Sequence, residues 1–196
     1  MSSNSTVKKE RGSCGSSGVK YRFSSPLGYI IITACAKGLH AVELAGNISD
    51  ENFSPNERTE VQLLQEDDTS NLPKVIQESL TWFQVFFKDP ELVATVPRPE
   101  ICCFKQSSLG FHARVWQTLA DTVGPGEIIT YGALAARLKK PGAARAVGSA
   151  MRNNPNCIIV PCHRVVRSNG MGLYHGGQRQ NMKLWLLKHE GVDKFK

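Results

Sequence analysis

Two short helical segments flank a four-residue turn in the second half of the chain, and they restrict how residues 130–155 can fold. The first segment is TYGALAARL, with Thr130 as the capping residue, and the second is GAARAVGSAMRNN, ended by Pro155. The turn between them, KKPG, combines the two residues that most often interrupt helices. This arrangement is typical of a helix-turn-helix, although many helical hairpins bind no nucleic acid.

Positive charge is concentrated in the same half. Residues 1–104 carry ten Lys and Arg against thirteen Asp and Glu, whereas residues 105–196 carry fourteen against four. Solubility would explain an evenly spread charge, but a compact half with this excess of cations indicates a polyanionic partner. Nucleic acid is the first candidate.

The second helix of the pair consists mainly of small residues, interrupted by Arg145 and closed by Arg152. A helix that reads base edges in the major groove usually presents long polar side chains. A slim helix with one prominent arginine suits close approach to the DNA backbone at a narrow groove. Tight packing between helices also requires small residues, and both interpretations remain open at this stage.

The first half of the chain predicts a small α+β domain. The segments VKYRFSS, YIIITACA and LHAVELA, joined by turns at 26–28 and 37–38, predict a β-meander. Residues 46–72 are polar and acidic and are predicted to form a surface loop. PKVIQESLTWFQVFFKD has apolar residues at helical spacing, with Pro73 as its first helical residue. VPRPEICCFKQ, with two prolines, is the predicted linker.

A further helix is predicted in SSLGFHARVWQTLADTV, capped by Ser107 or Ser108. Residues 1–18 are rich in Ser, Gly and Lys, and we expect a disordered tail rather than a signal peptide. No apolar run reaches the roughly 20 residues that span a membrane. The chain is therefore expected to be intracellular, where its six cysteines do not favour a disulfide framework.

A cysteine and a histidine meet after the helix pair. The apolar segment CIIV is predicted to be a short buried strand, and Pro161-Cys162-His163-Arg164 follows it. Cys162 is either a core thiol beside a turn histidine or a nucleophile whose proton a nearby imidazole accepts. The pair alone does not separate these interpretations.

The run IIVPCHRVV resembles the active-site signature of the O6-alkylguanine-DNA alkyltransferases, also called methylated-DNA–protein-cysteine methyltransferases. SPLG, GEIITYGALA, ARAVGSAMRNNP and GLYHGG…WLLKHEGV resemble that family in the same order, so the resemblance covers about residues 19–192. It implies an α+β fold in which a small ribonuclease-H-like domain precedes a mostly helical domain with a helix-turn-helix. The expected divisions are a tail at 1–18, a first domain at 19–97, a linker at 98–107 and a DNA-binding and transfer domain at 108–192.

The resemblance implies a DNA-repair enzyme that moves a methyl or other alkyl group from O6-alkylguanine onto its own Cys162. The transfer is single-turnover and irreversible and needs no cofactor. O4-alkylthymine is the less favoured alternative as the lesion that supplies the alkyl group. His163 and Glu190 match the residues that activate the cysteine, and Asn154 matches the residue that braces the active-site turn. Arg164 is expected to hold the turn rather than to take part in the chemistry.

The resemblance also implies that the damaged nucleotide is flipped out of double-stranded DNA through the minor groove. Arg145 would fill the vacated place in the stack, and Tyr131 would crowd the phosphate and assist departure of the guanine. Backbone-contact positions fall on Gly132, Lys140 and Ser168. Tyr174 and Met151 would line the base pocket.

Some animal members of the family hold a structural zinc in the first domain. Cys35 and His40 match two ligands, and Cys14 is a candidate third ligand from the tail. The family's fourth ligand falls on Glu100, for which Cys102 or Cys103 can substitute. The alternative is that Cys35 is a core thiol and that no metal is bound.

The expected partner is damaged DNA, with the protein acting as a monomer in the nucleus, with or without cooperative binding along DNA. Three other classes of protein are alternatives. A non-enzymatic sensor of alkylated guanine lacks the cysteine that stands at Cys162. An alkylation-responsive regulator requires another DNA-binding domain. A cysteine hydrolase requires an oxyanion hole, for which the sequence offers no motif.

Overall fold

The computed structural model of the chain describes residues 18–46, 48–64, 72–105 and 110–195. The predicted tail, apart from Gly18, lies outside this part of the chain, as do Ser107, Ser108 and Cys14. The fold is α+β, as predicted, with a three-stranded antiparallel sheet first and helices after it. The strands are β1 (Val19–Phe23), β2 (Ile30–Cys35), β3 (Gly38–Leu44), β4 (Ile129–Thr130) and β5 (Val165–Val166). The helices are α1 (Lys74–Lys88), α2 (Phe111–Thr122), α3 (Tyr131–Arg137), α4 (Ala144–Arg152) and α5 (Gln180–His189).

The first half forms the predicted meander, with order β1-β2-β3. Gly28 and Gly38 adopt positive φ angles of 97° and 127°, so glycine suits both turns. Alternate residues such as Ile30 and Ile32 are completely buried and contribute to one hydrophobic core with Phe83 and Phe86 of α1. Pro73 caps α1 rather than opening it.

The second half is built from α2, α3 and α4, which pack against one another. Trp116 of α2 is buried, and its indole N–H donates a 2.8 Å hydrogen bond to the carbonyl of Ala150 in α4. The hydroxyl of Thr130 accepts a 3.1 Å hydrogen bond from the backbone N–H of Ala133, which is the predicted cap of α3. Among the described helices, none is long and apolar enough to cross a membrane.

The segment CIIV is not the strand that its apolar character predicted. Residues 157–160 form a tight turn in which Ile158 has φ 72°, and the N–H of Val160 donates to the carbonyl of Asn156 over 2.9 Å. An apolar run is expected wherever residues are buried on all sides, and this holds for a turn as well as for a strand. The strand in this region is β5, which follows Cys162-His163-Arg164 and pairs in parallel with β4.

Strand β3 connects the sheet to this turn. The N–H of Val42 donates to the carbonyl of Pro155 over 2.8 Å, and the N–H of Cys157 donates back to Val42 over 3.3 Å. The same strand contacts the segment predicted to be a linker, because the N–H of Leu39 donates to the carbonyl of Glu100 over 2.7 Å. Cys102 and Cys103 are buried there, so this part of the segment is packed against the sheet.

Candidate active site

Cys162 lies at the start of a single helical turn, Cys162–Arg164, and only 6% of its surface is exposed. The side-chain amide of Asn154 donates to its sulfur over 3.2 Å and to the carbonyl of Val160 over 2.9 Å. The Asn154 carbonyl oxygen accepts from the N–H of Asn156 over 3.0 Å. Asn154 therefore holds both ends of the turn and fixes the sulfur in place.

The surroundings of Cys162 favour its thiolate. A hydrogen bond from Cys157 lowers the pKa of Cys162 to about 7, against the effect of burial, with help from Asn154, the charge of Lys183 and the hydroxyl of Tyr174. A thiol with its usual pKa of about 8.5 is only a few per cent ionised at neutral pH. Near neutral pH a large fraction of Cys162 is therefore in the nucleophilic form.

His163 is completely buried beside Cys162 in the chain, and its Nε2 lies 2.9 Å from Oε1 of Glu190. Burial lowers the pKa of His163 although Glu190 opposes this, so the ring is neutral near pH 7. Since a carboxylate can only accept, the neutral ring carries its proton on Nε2 and donates to Glu190. This leaves Nδ1, which has no hydrogen-bond partner among the described residues, as a free base.

Arg164 closes the same cluster. Its Nε and Nη2 donate to the two oxygens of Glu190 over 2.8 Å each, and its Nη1 donates to the carbonyl of Val123 over 2.6 Å. Burial raises the pKa of Glu190, but His163 and Arg164 outweigh this and lower it to about 2. Because Arg164 carries a permanent charge, it holds Glu190 ionised at pH 7 even though His163 is then neutral. Glu190 thus stays ionised and orients the imidazole.

An open cavity of about 490 Å³ leads to Cys162, a volume within the range of small-ligand sites. The side chains predicted to act on the nucleotide lie around it: Tyr131, Arg145, Met151 and Tyr174. Gly132, Lys140 and Ser168 are exposed and do not line the cavity. Burial and the charge of Cys162 raise the pKa of Tyr131, so its hydroxyl keeps its proton and is a donor at neutral pH.

Comparisons with known proteins agree with this geometry. A family profile described as the DNA-binding domain of 6-O-methylguanine DNA methyltransferase matches residues 110–192. The methylated-DNA–protein-cysteine methyltransferase of Cricetulus griseus is 39% identical over 173 residues, covering 87% of this chain and 80% of that protein. The human protein of the same name is 38% identical over 170 residues, covering 85% of this chain and 77% of that protein. The chain belongs to the methylated-DNA–protein-cysteine methyltransferases.

Solved structures support this assignment. OGT of Mycobacterium tuberculosis, in complex with DNA, superposes with a TM-score of 0.60 at 28% identity, covering 86% of this chain and 90% of that one. The O6-methylguanine-DNA methyltransferase of Pyrococcus kodakaraensis gives a TM-score of 0.53 at 26% identity, covering 90% and 99%. The chain is thus a DNA-repair methyltransferase with a DNA-binding domain, as its sequence predicted.

Lys183 is a functional candidate in this methyltransferase that the sequence analysis missed. It is completely buried, and its Nζ donates to the carbonyls of Val165 and Met171 over 2.7 Å each. Burial lowers its pKa to about 8 although the charge of Cys162 opposes this, so it is mostly cationic at neutral pH. The signal available in the sequence was a lysine among apolar residues, between Met182 and Leu186, both of which are buried on α5.

The cavity of the methyltransferase is also lined by residues that were not predicted as site residues. They are formed by Ala144, Gly148, Arg152, Cys157, Arg167, Leu173, His175 and Gly176. Arg152 and Arg167 add positive charge at the cavity, where an anionic backbone is expected to approach. Leu173 and His175 flank Tyr174, which was predicted to line the base pocket.

A second cluster of the methyltransferase lies on the sheet. Cys35, His40 and Cys102 place their sulfur and nitrogen atoms within 4.8 Å of one another, and Sγ of Cys102 is 3.6 Å from Nδ1 of His40. Cys102 rather than Cys103 belongs to this group, and Glu100 instead forms an ion pair with Lys105. The group could bind a metal ion.

Proposed function

We propose that Cys162 accepts the methyl or other alkyl group of O6-alkylguanine in DNA, once per protein molecule. The observation that supports this most is a buried cysteine, with a pKa of about 7, facing an open cavity ringed by Tyr131, Arg145 and Tyr174. The sulfur forms a bond to the alkyl carbon, and the bond from that carbon to O6 breaks. Guanine leaves with the electron pair and takes up a proton. The product thioether is a poor leaving group, so the protein is consumed.

Proton transfer in this proposal belongs to His163, Glu190 and Tyr131. Nδ1 of His163 is unpartnered among the described residues and accepts the Cys162 proton through solvent, while Glu190 stabilises the imidazolium that forms. The protonated hydroxyl of Tyr131 assists the departing guanine. Arg164 holds Glu190 and Val123 and takes no part in the proton transfer. O4-alkylthymine is the alternative lesion that could supply the alkyl group.

DNA binding is proposed for the domain at 108–192, with α3 and α4 as a helix-turn-helix against the minor groove. Small side chains on α4 fit both interpretations of this helix: Gly148 lines the cavity and also packs beside the ring of Tyr131, with 3.9 Å from an added Cβ to the ring carbons. Arg145 is exposed at the cavity and would replace the flipped base in the stack. Gly132, Lys140 and Ser168 are exposed, as backbone contacts require.

The remaining assignments follow the family. We propose that residues 19–97 form a ribonuclease-H-like domain, followed by a connecting segment at 98–107. Double-stranded DNA containing O6-alkylguanine is the partner, bound by a monomer with or without cooperativity along DNA. As a small basic DNA-repair protein, it is proposed to act in the nucleus.

Intact-mass spectrometry tests the central proposal. The protein is mixed with one equivalent of a duplex carrying a single O6-methylguanine, and we expect it to gain the mass of one methylene while the duplex loses it. The gain should stop at one group per molecule even with excess substrate, because the transfer is irreversible. Tight binding without any gain in mass would instead identify a sensor that does not repair.

Arg145→Ala should lower the rate of transfer from duplex DNA by roughly 10- to 100-fold, because flipping costs a few kcal/mol that Arg145 offsets. Transfer from the free O6-methylguanine base should change little. The matched control is Arg137→Ala, which removes an exposed cation from the neighbouring helix without touching the cavity. An equal loss with duplex and free base, or in both variants, would contradict a role in base flipping.

A structural zinc ion is proposed for the group formed by Cys35, His40 and Cys102. Two thiols and an imidazole within 4.8 Å suit zinc, which binds sulfur and nitrogen in tetrahedral sites. Cys14, outside the described residues, is the proposed fourth ligand. The ion would join β2, β3 and the segment before α2 and would act on stability, not on the transfer.

Metal analysis of protein purified without chelators should find about one equivalent of zinc. Cys102→Ser should lose the metal and melt at lower temperature, since binding of a structural zinc contributes to folding. Cys103→Ser is the matched control, because Cys103 is an equally buried neighbour outside the group. Wild-type protein without zinc, or equal metal content in both variants, would refute the site.

A further inference from the structure

One glutamine side chain holds both ends of the short loop that carries Tyr174. The side-chain oxygen of Gln180 accepts a 2.7 Å hydrogen bond from the N–H of Tyr174, and its amide nitrogen donates to the carbonyl of Gly172 over 3.0 Å. Because an N–H can only donate and a carbonyl can only accept, these partners fix which end of the amide faces each of them. Gln180 is the first residue of α5, so the loop is tied directly to a helix.

This loop forms one wall of the cavity that is proposed to hold the base. Tyr174 lines the cavity and is only 4% exposed, whereas Leu173, between the two tied residues, lines it and is 54% exposed. Gly172 packs so closely that an added Cβ would lie 3.3 Å from Cγ of Arg167 and 3.7 Å from Cε2 of Tyr131. A displacement of the loop would therefore move Tyr174 and change the space beside Tyr131.

The N-terminus of α5 is capped from a distant part of the chain. Arg179, the residue before the helix, makes no side-chain cap. Instead, the carboxylate of Asp50 accepts from the N–H of Gln180 over 2.9 Å and from the N–H of Asn181 over 2.6 Å. The first N–H groups of a helix have no partner within it, and negative charge is favourable at this end. Asp50 therefore satisfies two of these groups and fixes where α5 begins.

The segment that carries Asp50 is itself fastened to α5 and to the core. The N–H of Asp50 donates to the carbonyl of Gln178 over 2.9 Å, and its carbonyl accepts from the side-chain amide of Asn181 over 3.2 Å. Nε of Arg179 donates to the carbonyl of Ile48 over 2.9 Å, and Ile48 packs against the hydrophobic core. The start of the helix is thus held by residues that lie about 130 positions earlier in the chain.

We propose that Gln180 is a positioning residue for base recognition: its side-chain amide holds the loop that carries Tyr174 against the cavity, and Asp50 keeps that amide in place. The segment after the sheet thereby contributes to the shape of the active site, although neither Ile48 nor Asp50 lines the cavity. This inference rests on the proposed role of Cys162 as the alkyl acceptor.

Two substitutions remove the two steps of this arrangement. Gln180→Met keeps a side chain of similar length without either hydrogen bond, and Asp50→Ala removes the acceptor of two helix N–H groups. The matched controls are Gln178→Met and Glu51→Ala, which change an exposed glutamine and an exposed acidic residue outside the cavity. Thermal melting shows whether each variant is folded, and Asp50→Asn, which keeps one acceptor, replaces Asp50→Ala if the latter melts below the assay temperature.

The first readout is amide hydrogen exchange without DNA, resolved residue by residue by NMR. In Gln180→Met the Tyr174 amide loses its acceptor and should exchange about tenfold faster than in the wild type. In Asp50→Ala the amides of Gln180 and Asn181 lose theirs, and the Tyr174 amide should also exchange faster because the side chain that holds it is no longer fixed. Both controls should exchange like the wild type.

The second readout is single-turnover transfer from an O6-methylguanine duplex, measured against protein concentration. The maximal rate should fall about tenfold in Gln180→Met and severalfold in Asp50→Ala, because the flipped base is seated in the reactive position less often. The protein concentration that gives half of this rate should stay within about twofold of the wild type, since α3, α4 and Arg145 are unchanged. General destabilisation of the protein would not separate these two quantities.

A variant that combines Asp50→Ala and Gln180→Met tests whether Asp50 acts through Gln180. We expect its maximal rate to equal that of Gln180→Met alone, because Gln180→Met already removes the contact that Asp50 supports. A wild-type maximal rate in Gln180→Met, an equal loss in Gln178→Met, or fully additive losses in the combined variant overturns the proposal. If no protein transfers the group while exchange of the Tyr174 amide still shifts, the proposed function fails and the positioning of the loop stands.

Discussion

Replacing Cys162 with alanine is expected to abolish methyl transfer from O6-methylguanine in DNA. Loss of a catalytic nucleophile costs on the order of 10⁶ in rate in well-studied enzymes, and here the nucleophile is also the acceptor. The intact mass of the variant should stay unchanged after incubation with the damaged duplex, and the duplex should keep its methyl group. Binding should persist, because Tyr131 and Arg145 remain in place.

Peptide mapping of the wild-type protein locates the acceptor and completes this test. The added methyl group should be on Cys162 and not on Cys157, since the pKa of Cys157 is raised and its thiol stays protonated. Cys103→Ala is the matched control and should transfer at the wild-type rate. A methyl group on Cys157, or a mass gain in Cys162→Ala, would show that the acceptor has been misassigned.

Glu190→Gln should destabilise the protein by about 3–5 kcal/mol, since it leaves the buried guanidinium of Arg164 without its counter-charge. The Glu190 side chain is fully buried, and that of Arg164 is 6% exposed. Each kcal/mol corresponds to about 2–4 °C in a domain of this size, so we expect the melting temperature to fall by roughly 10 °C. Transfer should also slow by on the order of 10², because a neutral amide does not stabilise the imidazolium of His163 as the carboxylate does.

Asp121→Asn is the matched control for this change. Asp121 pairs with Arg98 over 2.6 Å, but its side chain is 45% exposed, and surface pairs contribute at most about 1 kcal/mol. Equal shifts in melting temperature for the two variants would mean that the buried network does not stabilise the fold.

The loss of protein stability at acid pH gives a second measure of how much the ionised Glu190 stabilises the fold. Its pKa is about 2 when folded and 4.5 as the reference value, so the ionised carboxylate stabilises the fold fully above pH 4.5. This contribution, about 3 kcal/mol, is lost as the pH falls from 4.5 to 2, because the unfolded chain binds the proton first. Urea melts across this range should show the loss in wild-type protein and a smaller one in Glu190→Gln.

Local patterns were enough to predict most of the regular structure. The meander, α1, the Thr130 cap and the pair α3 and α4 follow from periodicity, turn residues and helix stops, which act over a few neighbouring residues. The prediction that CIIV forms a strand was wrong, because an apolar run indicates burial and does not specify the backbone conformation. Its turn depends on a hydrogen bond from Asn154 and on one that Cys157 donates to Val42, which is more than a hundred residues away.

The sequence by itself determined the chemistry that neighbouring residues carry: the family, the Cys162-His163 pair and the basic half. Only the tertiary structure decided which distant groups meet at the Cys162 sulfur and which form the possible metal site on the sheet. Lys183 is drawn to Cys162 by the packing of α5, and Cys102 joins Cys35 and His40 because residues 100–102 lie against β3. Ionisation and metal affinity vary steeply over a few ångströms, and the spacing of residues along the chain does not specify those distances.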